Sequence, residues 1–252
     1  INTGNFAILP STKTNSNALF WIEEGRWGAL QGNLGLRYDA VSQNPNQAQA
    51  SQFEEPVLPP GTNPATPNLE NRNFNLLSYS AGGLWNFSNG YGTGLSYTVS
   101  QRAPSAAELY SYGIHESTAT FSVGNSNLNK ETSHNLEFNI QKTVGKVRGK
   151  VNAYLNKFNN YIYGFYTGEA ATNAEDFSIV IAQQAAATIK GAEAELTYNW
   201  NQFGSGARLF ADASQGTFDA GGNLPLQPAP RVGLQLAHQQ NKWLANASYT
   251  YS

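Results

Sequence analysis

The sequence predicts an all-β chain, a segment of an antiparallel transmembrane β-barrel with about ten strands. Three observations carry this reading. Apolar and polar residues alternate strictly over long segments such as Tyr91–Ser100, the period of a strand with one apolar and one wet face. The polar face carries Glu, Arg, Lys, Asn and Gln in numbers that a dry core could not satisfy. Finally, the connections alternate in length: short near 25, 89, 145, 202 and 240, long at 39–72, 102–130, 164–177 and 215–229. Membrane barrels have this pattern, with short periplasmic turns and longer outer loops.

Composition narrows the alternatives. Of 252 residues, 13% are charged and 12% aromatic, and the net charge is −2. That charge, with no basic run, argues against a nucleic-acid surface, which needs clustered Lys and Arg. No apolar stretch approaches the ~18 residues of a membrane-spanning helix, so any passage through a membrane is made by strands. Cys and Met are absent, which excludes disulfides and thiolate metal sites. The chain opens on Ile1 with no signal segment and reads as processed or excised.

In chain order, Asn17–Glu24 and Trp27–Tyr38 are extended segments joined by a two-residue turn at Gly25-Arg26. Leu30, Leu34 and Leu36 share one face of the second, and Gln31, Asn33 and Arg37 the other. From 39 to 71, six prolines between Pro45 and Pro67 remove ladder donors, giving a long loop or, on the bland reading, a linker between domains. Alternation resumes at Arg72 with Leu77, Tyr79, Ala81, Gly83 and Trp85 on one face. Ser88-Asn89-Gly90 then turns the chain into Tyr91–Ser100. After the long connection Gln101–Glu131 come Thr132–Thr143, a turn at Val144-Gly145-Lys146, and Val147–Asn156. A loop at 164–177 leads to a long strand holding Ala192, Ala194, Leu196 and Tyr198 against Glu193, Glu195 and Thr197. Strands at Ala207–Ala213, Arg231–His238 and Trp243–Tyr251 complete the count.

A soluble β-sandwich also alternates, but its core could not hold this polar face. A membrane barrel reverses the arrangement, with lipid outside and water inside. Trp21, Trp27, Tyr38, Tyr79, Trp85, Tyr91, Tyr97, Trp243 and Tyr251 lie mainly towards the expected strand ends, where interfacial girdles belong.

The long connection is too polar to be a strand, and loops of this length are usually functional. It carries Arg102-Ala-Pro-Ser, Glu108-Leu-Tyr, Gly113-Ile-His115, Thr120-Phe121, Gly124-Asn125, Leu128 and Glu131-x-Ser133-x-Asn135-x-Glu137. This order resembles the barrel of TonB-dependent outer-membrane receptors. Gly35-Leu36-Arg37-Tyr38-Asp39, Asn156-Lys-Phe-Asn-Asn-Tyr161-Ile162, Lys190-Gly191-Ala-Glu193-Ala-Glu195 and Leu224-Pro-Leu-Gln-Pro228-Ala-Pro-Arg231 agree in sequence order. The resemblance implies a 22-stranded barrel in the bacterial outer membrane, occluded by an N-terminal plug. Such a receptor imports a scarce metal, siderophore or vitamin with energy delivered through TonB. On that reading residues 1–252 are part of one receptor barrel domain, without plug or TonB box, and the chain stops at Ser252 inside an alternating run.

The variant Gly113-Ile-His115-Glu116-Ser-Thr118-Ala-Thr120 resembles the zinc-uptake branch. His115 with Glu116, or with Glu108, offers imidazole and carboxylate to a borderline cation. That makes zinc the first expected cargo, carried as transported ligand and not as a resident cofactor, with a siderophore second. The bland alternative for His115 is a solvated loop histidine. Glu175-Asp176 is a further acidic pair, and His134 and His238 read as interfacial. An outer-membrane protease barrel would use Asp176, Asp212, Asp219, His115 or His238, but none is spaced for such chemistry, so no enzyme is expected. A passive porin fits the polar face alone.

Overall fold

The computed structural model describes residues 8–52, 66–171, 177–201, 204–240 and 242–252. Its frame is an antiparallel meander of ten strands. These are β1 (Thr12–Trp27), β2 (Leu30–Pro45), β3 (Arg72–Ser88), β4 (Tyr91–Arg102), β7 (Glu131–Lys142), β8 (Val147–Ala171), β9 (Phe177–Asn199), β10 (Gly206–Phe218), β11 (Arg231–Gln240) and β12 (Trp243–Tyr251). The long connection between β4 and β7 adds a short helix, α1 (Ala106–Tyr110), and a small hairpin of β5 (Tyr112–His115) and β6 (Thr120–Val123).

The alternation is realised as two faces. Leu95, Phe138, Leu196 and Leu209 stand exposed on one side. Register aligns Leu95 with Phe138, and Leu136 with both Tyr97 and Leu155. The opposite side carries Glu137, Asn139, Lys150, Asn152, Glu193 and Glu195, again in register across β7, β8 and β9. Exposed apolar side chains recurring on one face of a long sheet suit lipid, as the other face suits water.

Several boundaries differ from the sequence expectation. The β1–β2 turn is made at Gly28-Ala29, with Gly28 at φ 61° and Trp27 paired with Leu30. Gly25 lies inside β1 for another reason: a Cβ on Gly25 or Gly32 would run into the Trp27 ring. Strand β2 continues through residues 39–45, because Pro45 sits at its last position, where a missing donor costs the ladder least. Strand β8 runs far into the expected 164–177 loop, paired up to Ala171, while β9 starts at Phe177, where that loop was expected to end. The rest of that loop, with Glu175-Asp176, and most of the proline-rich segment, at 53–65, lie outside the described residues.

Longer strands also relocate the aromatics. Trp27, Trp85, Tyr91 and Trp243 do mark the short-turn ends. Trp21, Tyr79, Tyr97 and Tyr249 each lie six residues further up the same strands, well inside β1, β3, β4 and β12. Six residues rise about 20 Å along a strand, or about 15 Å along the membrane normal once the strands tilt, well inside the ~25 Å apolar band of a barrel. The two rows form a lower and an upper aromatic belt on the lipid face, and the strands project beyond the upper one.

Above that belt sits the principal buried cluster. Phe74 and Leu76 of β3, Leu109 and Tyr110 of α1, Tyr112 of β5, Phe121 and Val123 of β6, Leu128, Ile162 and Ile179 pack together there. Strand β6 adds in parallel to β9, with Phe121 beside Ile179, so the β4–β7 connection reaches across to the projecting arm of β8 and β9.

Candidate functional site

The β4–β7 connection is held by one guanidinium. Arg102, the last residue of β4, faces Glu131, the first of β7, across the ladder. Its Nε donates to Glu131 Oε1 at 3.0 Å, and its Nη1 and Nη2 donate to Glu108 at 2.8 and 3.0 Å. Glu108 also accepts from the Ser105 backbone N–H at 2.7 Å, while Ser105 Oγ caps the Glu108 N–H. This reciprocal capping box explains why Ser105-Ala-Ala-Glu108 turns into a helix at all. Glu131 Oε2 in turn accepts from the Ile162 N–H at 2.8 Å, bringing β8 into the same network. Burial alone would raise the Glu108 carboxyl, but the hydrogen bonds from Arg102 and Ser105 and the Arg102 charge outweigh it, and the group titrates below its usual range.

Further ties fix the platform. The fully buried Tyr110 donates its hydroxyl to Glu70 O at 2.8 Å. Arg72 donates to Leu128 O, and the Gln184 amide both accepts from and donates to the Asn129 backbone. At Gly124 a Cβ would lie 2.6–2.7 Å from backbone atoms of Leu109, Tyr110 and Ser111, so only glycine admits this packing.

His115 is at the end of β5, exposed, and its Nδ1 lies 3.0 Å from Ser117 Oγ and 2.9 Å from Thr118 Oγ1. Thr118 Oγ1 is 2.8 Å from the hydroxyl of the buried Thr120. The ring is thereby tied to its own turn through Nδ1. Glu116 follows in the 3-10 turn Glu116–Thr118. Glu108 has both oxygens engaged by Arg102 and belongs to the clamp, and no group of three His, Cys, Asp or Glu side chains is gathered for a metal among the described residues. His134 shares a hydrogen bond with the Tyr97 hydroxyl at 2.9 Å, in the upper belt. His238 is 3.4 Å from Ser205 Oγ. Asp212 is paired with Arg231, and Asp219 accepts from Thr188.

The wet face forms a second polar surface. Arg208 donates to Glu195 at 2.7 Å and to Gln235 at 3.1 Å, and Arg231 pairs with Asp212 at 2.9 Å. Arg208, Glu195, Arg231 and Asp212 line a concavity of about 380 Å³ with Lys150, Asn152 and Glu193. A neighbouring one of about 670 Å³ runs from Arg26 and Asn33 to Glu137 and Asn139. The buried Oδ1 atoms of Asn152 and Asn156 have no hydrogen-bond partner. The sequence does not announce the clamp: Glu108 is six residues from Arg102 but Glu131 is 29 away, and only the strand pairing brings it to the guanidinium.

A barrel wall with one lipid face, one wet face and an ordered loop platform above the membrane defines an outer-membrane barrel of the receptor type. The family model described as "TonB dependent receptor-like, beta-barrel" matches residues 2–252; the chain belongs to that family, whose place is the outer membrane of Gram-negative bacteria. Solved structures agree in fold. The copper transporter OprC matches with a TM-score of 0.77 at 17% identity, over 95% of this chain and 34% of that one. The hemophore receptor HasR of Serratia marcescens, in complex with HasA and heme, gives 0.69 at 16%, over 96% and 45%. The FrpB iron transporter of Neisseria meningitidis gives 0.62 at 13%, over 93% and 32%. The chain thus spans 32–45% of the length of these proteins.

Proposed function

We propose that the chain is part of the barrel of an active-transport receptor that takes up a scarce metal or metal complex, energised through TonB and a plug domain elsewhere in the receptor. The single observation that carries this reading is the family match over nearly the whole chain, to which the built platform over a wet-faced wall gives a physical basis. The similar proteins named above are a copper transporter, an iron transporter and a hemophore receptor in complex with heme, which supports metal-linked cargo as a class.

Within that class zinc remains the first cargo and a siderophore complex the second. His115 supplies an exposed imidazole whose Nδ1 is oriented by Thr118, and Glu116 supplies the adjacent carboxylate. Glu108 is the weaker ligand candidate, since ligation would have to displace Arg102. An imidazole ligates only when neutral, so zinc binding through His115 weakens in acid. Calorimetry of the full-length receptor with zinc alone tests this. His115→Ala should lower the affinity while His134→Ala leaves it unchanged; equal zinc binding by wild type and His115→Ala removes His115 and returns the cargo to a metal chelate.

A further inference from the structure

The lipid face of the wall is not uniform. Between β7 and β11 it contains an apolar groove of about 520 Å³, within the ~300–1,000 Å³ range of small-ligand sites. Its axis is a row set by strand register, Ile140–Val151–Ala194–Ala211–Val232, which crosses five strands. The two alanines at its centre are flanked by branched side chains, so the wall dips there instead of meeting lipid with a continuous leucine surface. One row nearer the short turns, Gly149 keeps the floor low and Leu196 and Leu209 form the wall.

The groove ends in a cation. Lys142 is two residues from Ile140, about 7 Å along β7, and lies on the same outward face. Its Nζ donates to Val144 O at 2.7 Å and Val147 O at 2.9 Å and sits 5.4 Å from the centre of the Tyr91 ring. The amine is thereby held in the lower aromatic belt and keeps a third proton for an outside acceptor. Lys146 adds a second cation in the same turn, and no acidic residue lies between 138 and 168.

A hydrophobic slot that opens at a fixed ammonium matches an amphiphile with an apolar chain and an anionic head. We propose that this groove is a binding site for one diacyl phospholipid of the leaflet at the short-turn side. One acyl chain fills the dip over Ala194 and Ala211, and the phosphate accepts from Lys142. The groove lies between strands that are paired on both sides, so it does not depend on how the barrel closes.

The test uses the full-length receptor in phosphatidylcholine nanodiscs carrying a trace of phosphatidylglycerol with a diazirine in one acyl chain. Cross-links should map to peptides of β8–β10. Ala211→Phe should abolish them, and Lys142→Gln should reduce them about fivefold, the equivalent of one lysine–phosphate attraction near a membrane surface. Ala211→Leu is a smaller filling variant and should give an intermediate loss. Heat-modifiable migration on gels confirms that each barrel has formed. Unchanged cross-linking in folded Ala211→Phe overturns the site. Equal competition by unlabelled diacylglycerol overturns the phosphate contact, and stronger competition by lipopolysaccharide than by phosphatidylglycerol overturns the choice of lipid.

Discussion

Arg102 makes four hydrogen bonds to two carboxylates, and each carboxylate reaches a backbone N–H of a different element. Hydrogen bonds to charged groups contribute about 1.5–3 kcal/mol each when shielded, but the half-exposed guanidinium is partly screened by water. Arg102→Met should therefore loosen the platform by about 1–3 kcal/mol in total, read as faster amide exchange in α1 and at Ile162 while the strands between the belts keep their protection. The Glu108 carboxyl is depressed in the fold. Its contribution is thus complete above its unfolded value of about 4.3 and is lost as pH falls through the lower, folded value. Exchange in α1 should accelerate over that acidic window, and Glu108→Gln should remove the pH dependence. Gly124→Ala forces a Cβ onto the α1 backbone; proteolysis within the β4–β7 connection is the readout, with cleavage expected in the variant and not in the parent.

At the level of elements, alternation revealed the wall and missed its height. The pattern in Tyr91–Ser100 and Thr132–Thr143 located β4 and β7 closely, because each has a lipid face for its whole expected length. Strands β2 and β8 leave the lipid zone before they end: in β2 the apolar face gives way to Ser42 and Asn44 before Pro45, and in β8 the stretch Gly164–Ala171 has two glycines and no strict alternation, so both read as loop. The hairpin of β5 and β6 was hidden for a related reason: its apolar side is a few residues long and packs on β3, β8 and β9, partners that no local pattern names. The same argument places Leu95 between the belts, beside Phe138. Leu95→Arg should cost about 2–4 kcal/mol near the midplane, measured by urea unfolding in lipid vesicles. A cost near zero would place that face in water.

For the whole molecule, the faces and the ends of the wall fix its orientation. The platform, the projecting strands and His115 lie at the long-loop end. The lower aromatic belt and Lys142 lie at the short-turn end. The paired charges Arg208–Glu195 and Arg231–Asp212 put the polar face of β9–β11 on the side away from lipid. The cargo was not legible in the same way: no group of three His, Cys, Asp or Glu side chains is gathered among the described residues.

Orientation is the claim on which the rest depends, and the absence of Cys from the sequence makes one measurement decisive. Single cysteines at His115, Gly145, Glu137 and Phe138 of the full-length receptor are treated with a membrane-impermeant maleimide, first on intact cells and then on opened membranes. The account predicts labelling at 115 on intact cells, at 145 only after opening, at 137 from water, and at 138 in neither case. Labelling at 145 on intact cells with 115 protected, or at 138 with 137 silent, would contradict it.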